Sequence, residues 1–100
     1  MKELEIKTNG NTMILCLNYN VDSTTAPGVE KEILDALAAQ PVSSVIFDCE
    51  NLKYISSAGL RVVMKIKKMI PDTKITKVSD VVYEVLELVA LPEIMTVEKL

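Results

Sequence analysis

The sequence predicts a small α/β domain: a mixed sheet of about five strands, opened by an N-terminal hairpin, with three main helices. Apolar residues alternate with charged ones near the N-terminus, as in a half-buried strand. Later segments carry apolar residues at helical spacing, and short apolar runs separate them, which is typical of helices that connect parallel strands. One hundred residues, 49% of them hydrophobic, suit a single domain over residues 1–100.

The chain begins with a predicted β-hairpin. Leu4 and Ile6 alternate with charged residues. Asn9-Gly10 then predicts the turn, because both residues tolerate a positive φ. Residues 12–18 are apolar at successive positions, so we expect the second strand to lie inside the sheet with both faces buried.

A first helix is predicted over residues 25–39. Pro27 is compatible with its first turn, and Gln40-Pro41 ends it. One face carries the apolar positions Val29, Ile33, Ala36 and Leu37. Residues 42–49 are the next predicted strand, which would lie parallel to the hairpin's second strand after a right-handed crossover.

A second helix is predicted after two serines, with apolar residues at helical spacing from Ala58 to Ile70. Most of its surface is apolar, so we expect it to be largely buried between the sheet and a neighbouring helix. Its apolar positions are Leu60, Val62, Val63, Met64, Ile66, Met69 and Ile70. Its narrow polar stripe consists of Arg61, Lys65 and Lys68.

The C-terminal part predicts a strand, a helix and a strand. Residues 74–78 form a short strand, and Ser79 or Asp80 caps the third helix. The inner face of that helix carries Val82, Val85, Leu86 and Val89. Residues 94–97 are the last predicted strand.

Composition narrows the function classes. The net charge of −3 argues against nucleic-acid binding, which needs a basic face. The charged N-terminus does not resemble a signal peptide, and no apolar run is long enough to span a membrane, so we expect a cytoplasmic protein.

Cys16 and Cys49 each lie in an apolar segment, which favours free, buried thiols. The chain has no histidine, and its cysteine spacing fits no zinc motif, so we expect no metal site.

An enzyme is also disfavoured. A serine nucleophile needs a base, usually histidine, and nothing else in the sequence supports a Ser-Lys pair with Lys53. The three glycines are isolated, so no phosphate-binding loop is present. The sequence therefore predicts a binding module.

Residues 54–61, Tyr-Ile-Ser-Ser-Ala-Gly-Leu-Arg, resemble the signature of STAS domains (sulfate transporter and anti-sigma factor antagonist), in the form typical of bacterial anti-sigma factor antagonists. In that family the serine two residues before the glycine is phosphorylated by a partner kinase, and this serine aligns with Ser57. On the residues alone, Ser57 would be an N-cap. The family often has Asp at the position of Ser56 and usually has Gly at the position of Ala90.

A second family pattern, Asp-x-x-Thr-Ala, is matched by Asp22, Thr25 and Ala26. The resemblance implies that this loop lies beside the phosphorylated serine and touches the partner. Without the resemblance, Asp22 would simply close the loop or cap the helix. Arg61 likewise has two interpretations, a solvated arginine or a contact to the partner or the phosphoryl group.

The resemblance implies an anti-sigma factor antagonist in a partner-switching pathway. The unphosphorylated form would bind an anti-sigma factor, a serine kinase of the histidine-kinase-like ATPase type, and so free a sigma factor. Phosphorylation would release the antagonist, and a phosphatase would restore it. The kinase would use its own ATP, so the resemblance implies that this chain needs no cofactor. The alternative is a free-standing STAS subunit or scaffold of a transport or stress-sensing complex. The implied partner-binding residues are Asp22, Thr25, Ser56, Ser57, Ala58, Gly59 and Arg61.

Overall fold

A computed structural model describes residues 2–100. Within that range the chain forms, in order, β1 (Leu4–Asn9), β2 (Thr12–Leu17), β3 (Tyr19–Val21), α1 (Ala26–Ala39), β4 (Ser44–Asp48), β5 (Leu52–Ile55), α2 (Ser57–Met69), β6 (Thr73–Val78), α3 (Asp80–Leu88), a 3-10 turn (Leu91–Glu93) and β7 (Val97–Lys99).

The main sheet has five strands in the order β1-β2-β4-β6-β7. β1 and β2 pair antiparallel, and the remaining neighbours pair parallel. The predicted fold class is therefore confirmed. β3 and β5 pair with each other in a separate two-stranded parallel sheet, which the sequence analysis did not predict. Strands of three and four residues are too short to show a periodicity of their own.

The hairpin is present, but its turn lies one residue later than predicted. Asn9 pairs with Thr12, so Gly10 and Asn11 form the two-residue loop. Gly10 has a φ of 63°, whereas Asn11 has a negative φ. Glycine at the first loop position fits a type II′ turn, whose twist matches that of the two strands.

β2 lies inside the sheet as expected, but only one of its faces is fully buried. Met13, Leu15 and Leu17 lie in the core, whereas Ile14 and Cys16 are only half-buried. The prediction of two buried faces was wrong, because the second face of the sheet is only partly covered.

Both cysteines are free, and burial raises the pKa of the Cys49 thiol to about 12, so that thiol is neutral at physiological pH.

α1 has nearly the predicted bounds and packs against α2. α2 is less buried than predicted. Leu60, Val62, Val63 and Ile66 are buried, but Met64 is 39% exposed and Met69 is 52% exposed. The sheet and α1 therefore cover only part of the helix surface. The longest helix within residues 2–100 is α1, with 14 residues. No helix in that range has the length and apolarity to cross a membrane.

The C-terminal segment differs most from the prediction. Ser79 caps α3 by accepting a hydrogen bond from the Val82 N–H at 3.2 Å. Val89 was predicted on the inner face but is 52% exposed. The last predicted strand is present, but it covers Val97–Lys99 and not residues 94–97, because Leu91–Glu93 form a 3-10 turn that delays the strand. Leu91, the first residue of the 3-10 turn, and Met95, two residues after its end, are both buried in the core.

Ala90 has a left-handed backbone, with φ 57° and ψ 27°, directly after the C-cap of α3. A side chain at such a position costs about 1–2 kcal/mol, and glycine is the usual residue there. We expect Ala90→Gly to stabilise the fold by about 0.5–1 kcal/mol after the larger unfolded-state entropy of glycine is subtracted. Urea unfolding measures the change. Ala39→Gly, at the right-handed end of α1, is the control and should destabilise; equal destabilisation of the two variants would contradict the prediction.

Candidate functional site

The tandem serines lie where β5 ends and α2 begins. Ser56 has extended backbone angles, and its Oγ accepts a hydrogen bond from the Gly59 N–H at 3.4 Å. Its carbonyl oxygen accepts the Leu60 N–H at 2.9 Å. Ser56 is therefore the N-cap, and the residue-based interpretation of Ser57 as the cap was wrong. The extended strand β5 continues to Ile55, so Ser56 is the first residue free to turn into the helix.

Ser57 is the first residue of α2, and it is exposed. Ala58, which follows it, is half-buried and too small to cover the serine. The hydroxyl of Ser57 is thus accessible at the positive end of a helix, where an added anion would interact favourably with the backbone N–H groups. The two adjacent serines therefore differ in role, since one supports the helix and the other faces solvent.

Gly59 was predicted to contact a partner, but it is buried in the chain itself. A Cβ atom built on Gly59 would lie 2.7 Å from Cγ1 of Ile55 and 2.8 Å from the carbonyl oxygen of Val21. Glycine is needed here because the start of α2 lies directly against β3 and β5. We therefore assign Gly59 to packing, which holds the serines in place.

The pairing of β3 with β5 places a second loop beside the serines. Val21 pairs with Ile55, and the Val21 carbonyl oxygen accepts the Ser56 N–H at 2.9 Å. The chain after Val21 is the loop that begins with Asp22. The two segments that the sequence analysis grouped, the Asp22 loop and the serine motif, are therefore neighbours in the structure.

Asp22 closes this loop. Its Oδ1 accepts hydrogen bonds from the backbone N–H groups of Thr24 at 2.9 Å and Thr25 at 3.0 Å. The Oγ1 of Thr25 accepts the Asp22 N–H at 3.0 Å and can donate to the Asn20 carbonyl oxygen, 3.1 Å away. The Thr25 N–H, followed by that of Thr24, lowers the pKa of the Asp22 carboxyl, so the group stays charged at neutral pH. This geometry agrees with the interpretation of Asp22 as a loop-closing residue.

A shallow cleft runs between the N-terminal parts of α1 and α2, and exposed Arg61 lies along it. Sequence reasoning missed most of the α1 side, because nothing local indicates that these two helix starts are adjacent. Within residues 2–100, no cluster of three or more His, Cys, Asp or Glu residues could hold a metal ion. The cleft is lined by Ser23, Ala26, Pro27, Glu30, Ala58, Arg61 and Val62.

Comparison with known proteins agrees with this geometry. The family model of the STAS domain matches residues 3–99. TM1081 of Thermotoga maritima, to which the role of anti-sigma factor antagonist is assigned, has a solved structure that superposes with a TM-score of 0.87 at 20% identity, covering 97% of this chain and 86% of that one. An anti-sigma factor antagonist from Mycobacterium paratuberculosis superposes with a TM-score of 0.83 at 14% identity, covering 95% and 83%.

The Bacillus protein SpoIIAA, in its phosphorylated form, superposes with a TM-score of 0.71 at 17% identity, covering 94% of this chain and 89% of that one. At these identities the structural likeness shows a shared fold. No curated protein sequence matches the chain. The fold, the position of the serine motif and the family model therefore agree with one another.

Proposed function

This chain belongs to the STAS domain family, and from that membership we propose that it is an anti-sigma factor antagonist that works by partner switching. The unphosphorylated chain binds an anti-sigma factor that is also a serine kinase, and binding frees a sigma factor. Phosphorylation of Ser57 by that kinase ends the interaction, and a phosphatase reverses it. The antagonist itself is not an enzyme in this scheme and takes no cofactor, because the kinase supplies the ATP.

The observation that carries the proposal is the exposed Ser57 at the first position of α2, next to the Asp22 loop. A phosphoserine adds about −1.5 to −2 charges near pH 7. At a helix N-terminus this charge is favourable by roughly 0.3–1 kcal/mol, so the fold tolerates the modification. Phosphorylation therefore changes the surface and leaves the core unchanged, as a reversible switch requires.

The difference between the two serines supports Ser57 as the acceptor. The Ser56 Oγ is engaged in the helix cap and is half-buried, whereas Ser57 is exposed. A kinase must reach the hydroxyl and remove its proton, which favours the exposed residue. Two solved structures of the same fold are those of SpoIIAA in its unphosphorylated form and in its phosphorylated form, which agrees with a phosphorylation switch on this scaffold.

Incubation with the cognate kinase and ATP tests the proposal. We expect one phosphate per chain, located on Ser57 by mass spectrometry of the peptides. Ser57→Ala should remove the label. Ser56→Ala should retain it, although it loses the cap and should be less stable by about 0.5–2 kcal/mol.

Two other results would lead to different conclusions. Label on Ser56 would overturn the choice of serine but not the switch. No label on either serine, together with capture of transport or stress-complex subunits and no anti-sigma factor, would replace the proposal with the alternative of a free-standing STAS subunit.

A further inference from the structure

The exposed side of α2 carries an unusual distribution of charge. The helix contains four cationic residues, at positions 61, 65, 67 and 68, and no acidic residue, in a chain whose net charge is −3. We define the α2 stripe as the four exposed residues that line a shallow groove along this helix: Arg61, Met64, Lys65 and Lys68.

The stability of the helix explains only the last cation of the stripe, because Lys68 lies in the last turn of α2, where a positive charge is favourable to the helix dipole. Arg61 and Lys65 are four residues apart and Lys65 and Lys68 are three apart, and like charges at these spacings destabilise a helix. Arg61 also lies near the N-terminus of α2, where a cation opposes the helix dipole. α1 shows the opposite arrangement, because Lys31 pairs with Asp35 one turn later at 2.8 Å.

The chain compensates these charges only in part. Among residues 2–100, the stripe forms one salt bridge, between Lys65 Nζ and Glu30 Oε2 at 3.3 Å. Arg61 and Lys68 make none within that range. Met64, between the cations, is 39% exposed and offers an adaptable apolar contact. The chemistry that complements this surface is a set of carboxylates around an apolar side chain.

We propose that the α2 stripe docks an acidic surface of a partner protein. The stripe continues the candidate site, because Arg61 lines both the groove of the stripe and the cleft that leads towards the Asp22 loop. Ser57 is one helical turn before Arg61 on the same helix face. The partner's identity as an anti-sigma factor rests on the proposed function, whereas its acidic character follows from the stripe alone.

A protein partner fits better than a membrane or a nucleic acid. A membrane-surface helix needs a free apolar face opposite its cations, often with aromatic residues, whereas α2 has no aromatic residue and most of its apolar face is buried in the core. Binding to single-stranded nucleic acid also uses aromatic stacking, and the net negative charge of the chain opposes both alternatives. A phosphate on Ser57 would place negative charge at the end of the stripe, where it attracts Arg61 and repels an acidic partner.

The test uses the full chain, labelled with nitrogen-15, and three probes. These are a synthetic helical peptide of glutamate and leucine, vesicles of neutral and anionic phospholipid, and single-stranded DNA. We expect the peptide to shift amide signals on α2, with an affinity that falls roughly tenfold when salt rises from about 0.05 M to about 0.5 M. Lys65→Glu with Lys68→Glu should weaken binding roughly tenfold.

Lys7→Glu with Lys31→Glu is the matched control, because it makes the same change in net charge at exposed positions outside α2. We expect it to weaken binding by less than about twofold. If the exchange of both α2 lysines for glutamate impaired folding, Lys65→Gln with Lys68→Gln would test the same surface.

Three results would each overturn the proposal. The first is a set of peptide-induced shifts at lysines outside α2, and the second is equal affinity of the two double variants for the peptide. The third is tighter binding of vesicles or DNA than of the peptide to α2. No kinase is present in this assay. Its failure therefore leaves the phosphorylation switch standing, and failure of the kinase experiment leaves the α2 stripe standing.

Discussion

Ser57→Asp is expected to lower the affinity for the anti-sigma factor by roughly tenfold to a hundredfold, because a fixed negative charge on a contact surface can cost a few kcal/mol in binding. The same substitution should leave folding intact, since an acidic residue in the first turn of α2 is favourable to the helix dipole by roughly 0.3–1 kcal/mol. The measurement is the dissociation constant by calorimetry, with thermal unfolding of each variant in parallel.

Two further variants separate charge from loss of the hydroxyl. Ser57→Ala should bind with unchanged affinity and resist inactivation by kinase and ATP. It should fold with a change within about 0.5 kcal/mol, because Ser56 and not Ser57 caps the helix. Ser57→Asn adds similar bulk without charge and should bind far better than Ser57→Asp. Equal affinity of Ser57→Asp and the unmodified chain would falsify the switch.

Gly59→Ala is expected to destabilise the chain by about 1–3 kcal/mol, because the added methyl group has no space. Its Cβ would lie 2.8 Å from the Val21 carbonyl oxygen and 2.9 Å from the Val21 Cγ1. Since the carbonyl oxygen belongs to the backbone, either α2 or β3 must move. That movement would disturb the hydrogen bond from the Ser56 N–H to the same oxygen.

The chain offers a matched control in Gly28, which occupies the third position of α1 as Gly59 does in α2. No atom lies within 4 Å of a Cβ built on Gly28, apart from its near neighbours along the chain. Gly28→Ala should therefore stabilise the chain by up to about 1 kcal/mol through helix propensity. Thermal unfolding should show opposite shifts for the two variants, at about 4–8 °C per kcal/mol for a domain of this size. Equal stabilisation of both would show that Gly59 is not closely packed.

The sequence by itself determined the fold class and the order of the main elements. Hydrophobic periodicity reports which face of a segment is buried, so segments long enough to show a period, such as α1 and α2, were predicted nearly within their bounds. The tandem serines and the Asp22 loop were also identified from the sequence, through the motif that resembles the STAS signature. The serines lie at a predicted strand-to-helix junction, and the Asp22 loop lies just before the first predicted helix.

The tertiary structure decided what each residue at the site does. Ser56 became the cap because β5 extends to Ile55, and the end of β5 depends on its pairing with β3, a strand of only three residues. The packing role of Gly59 depends on Val21, which is distant in sequence. Met64 is exposed for the same reason, because α1 and the sheet cover one side of α2 only. Burial and close approach depend on distant neighbours, and local periodicity contains no information about them.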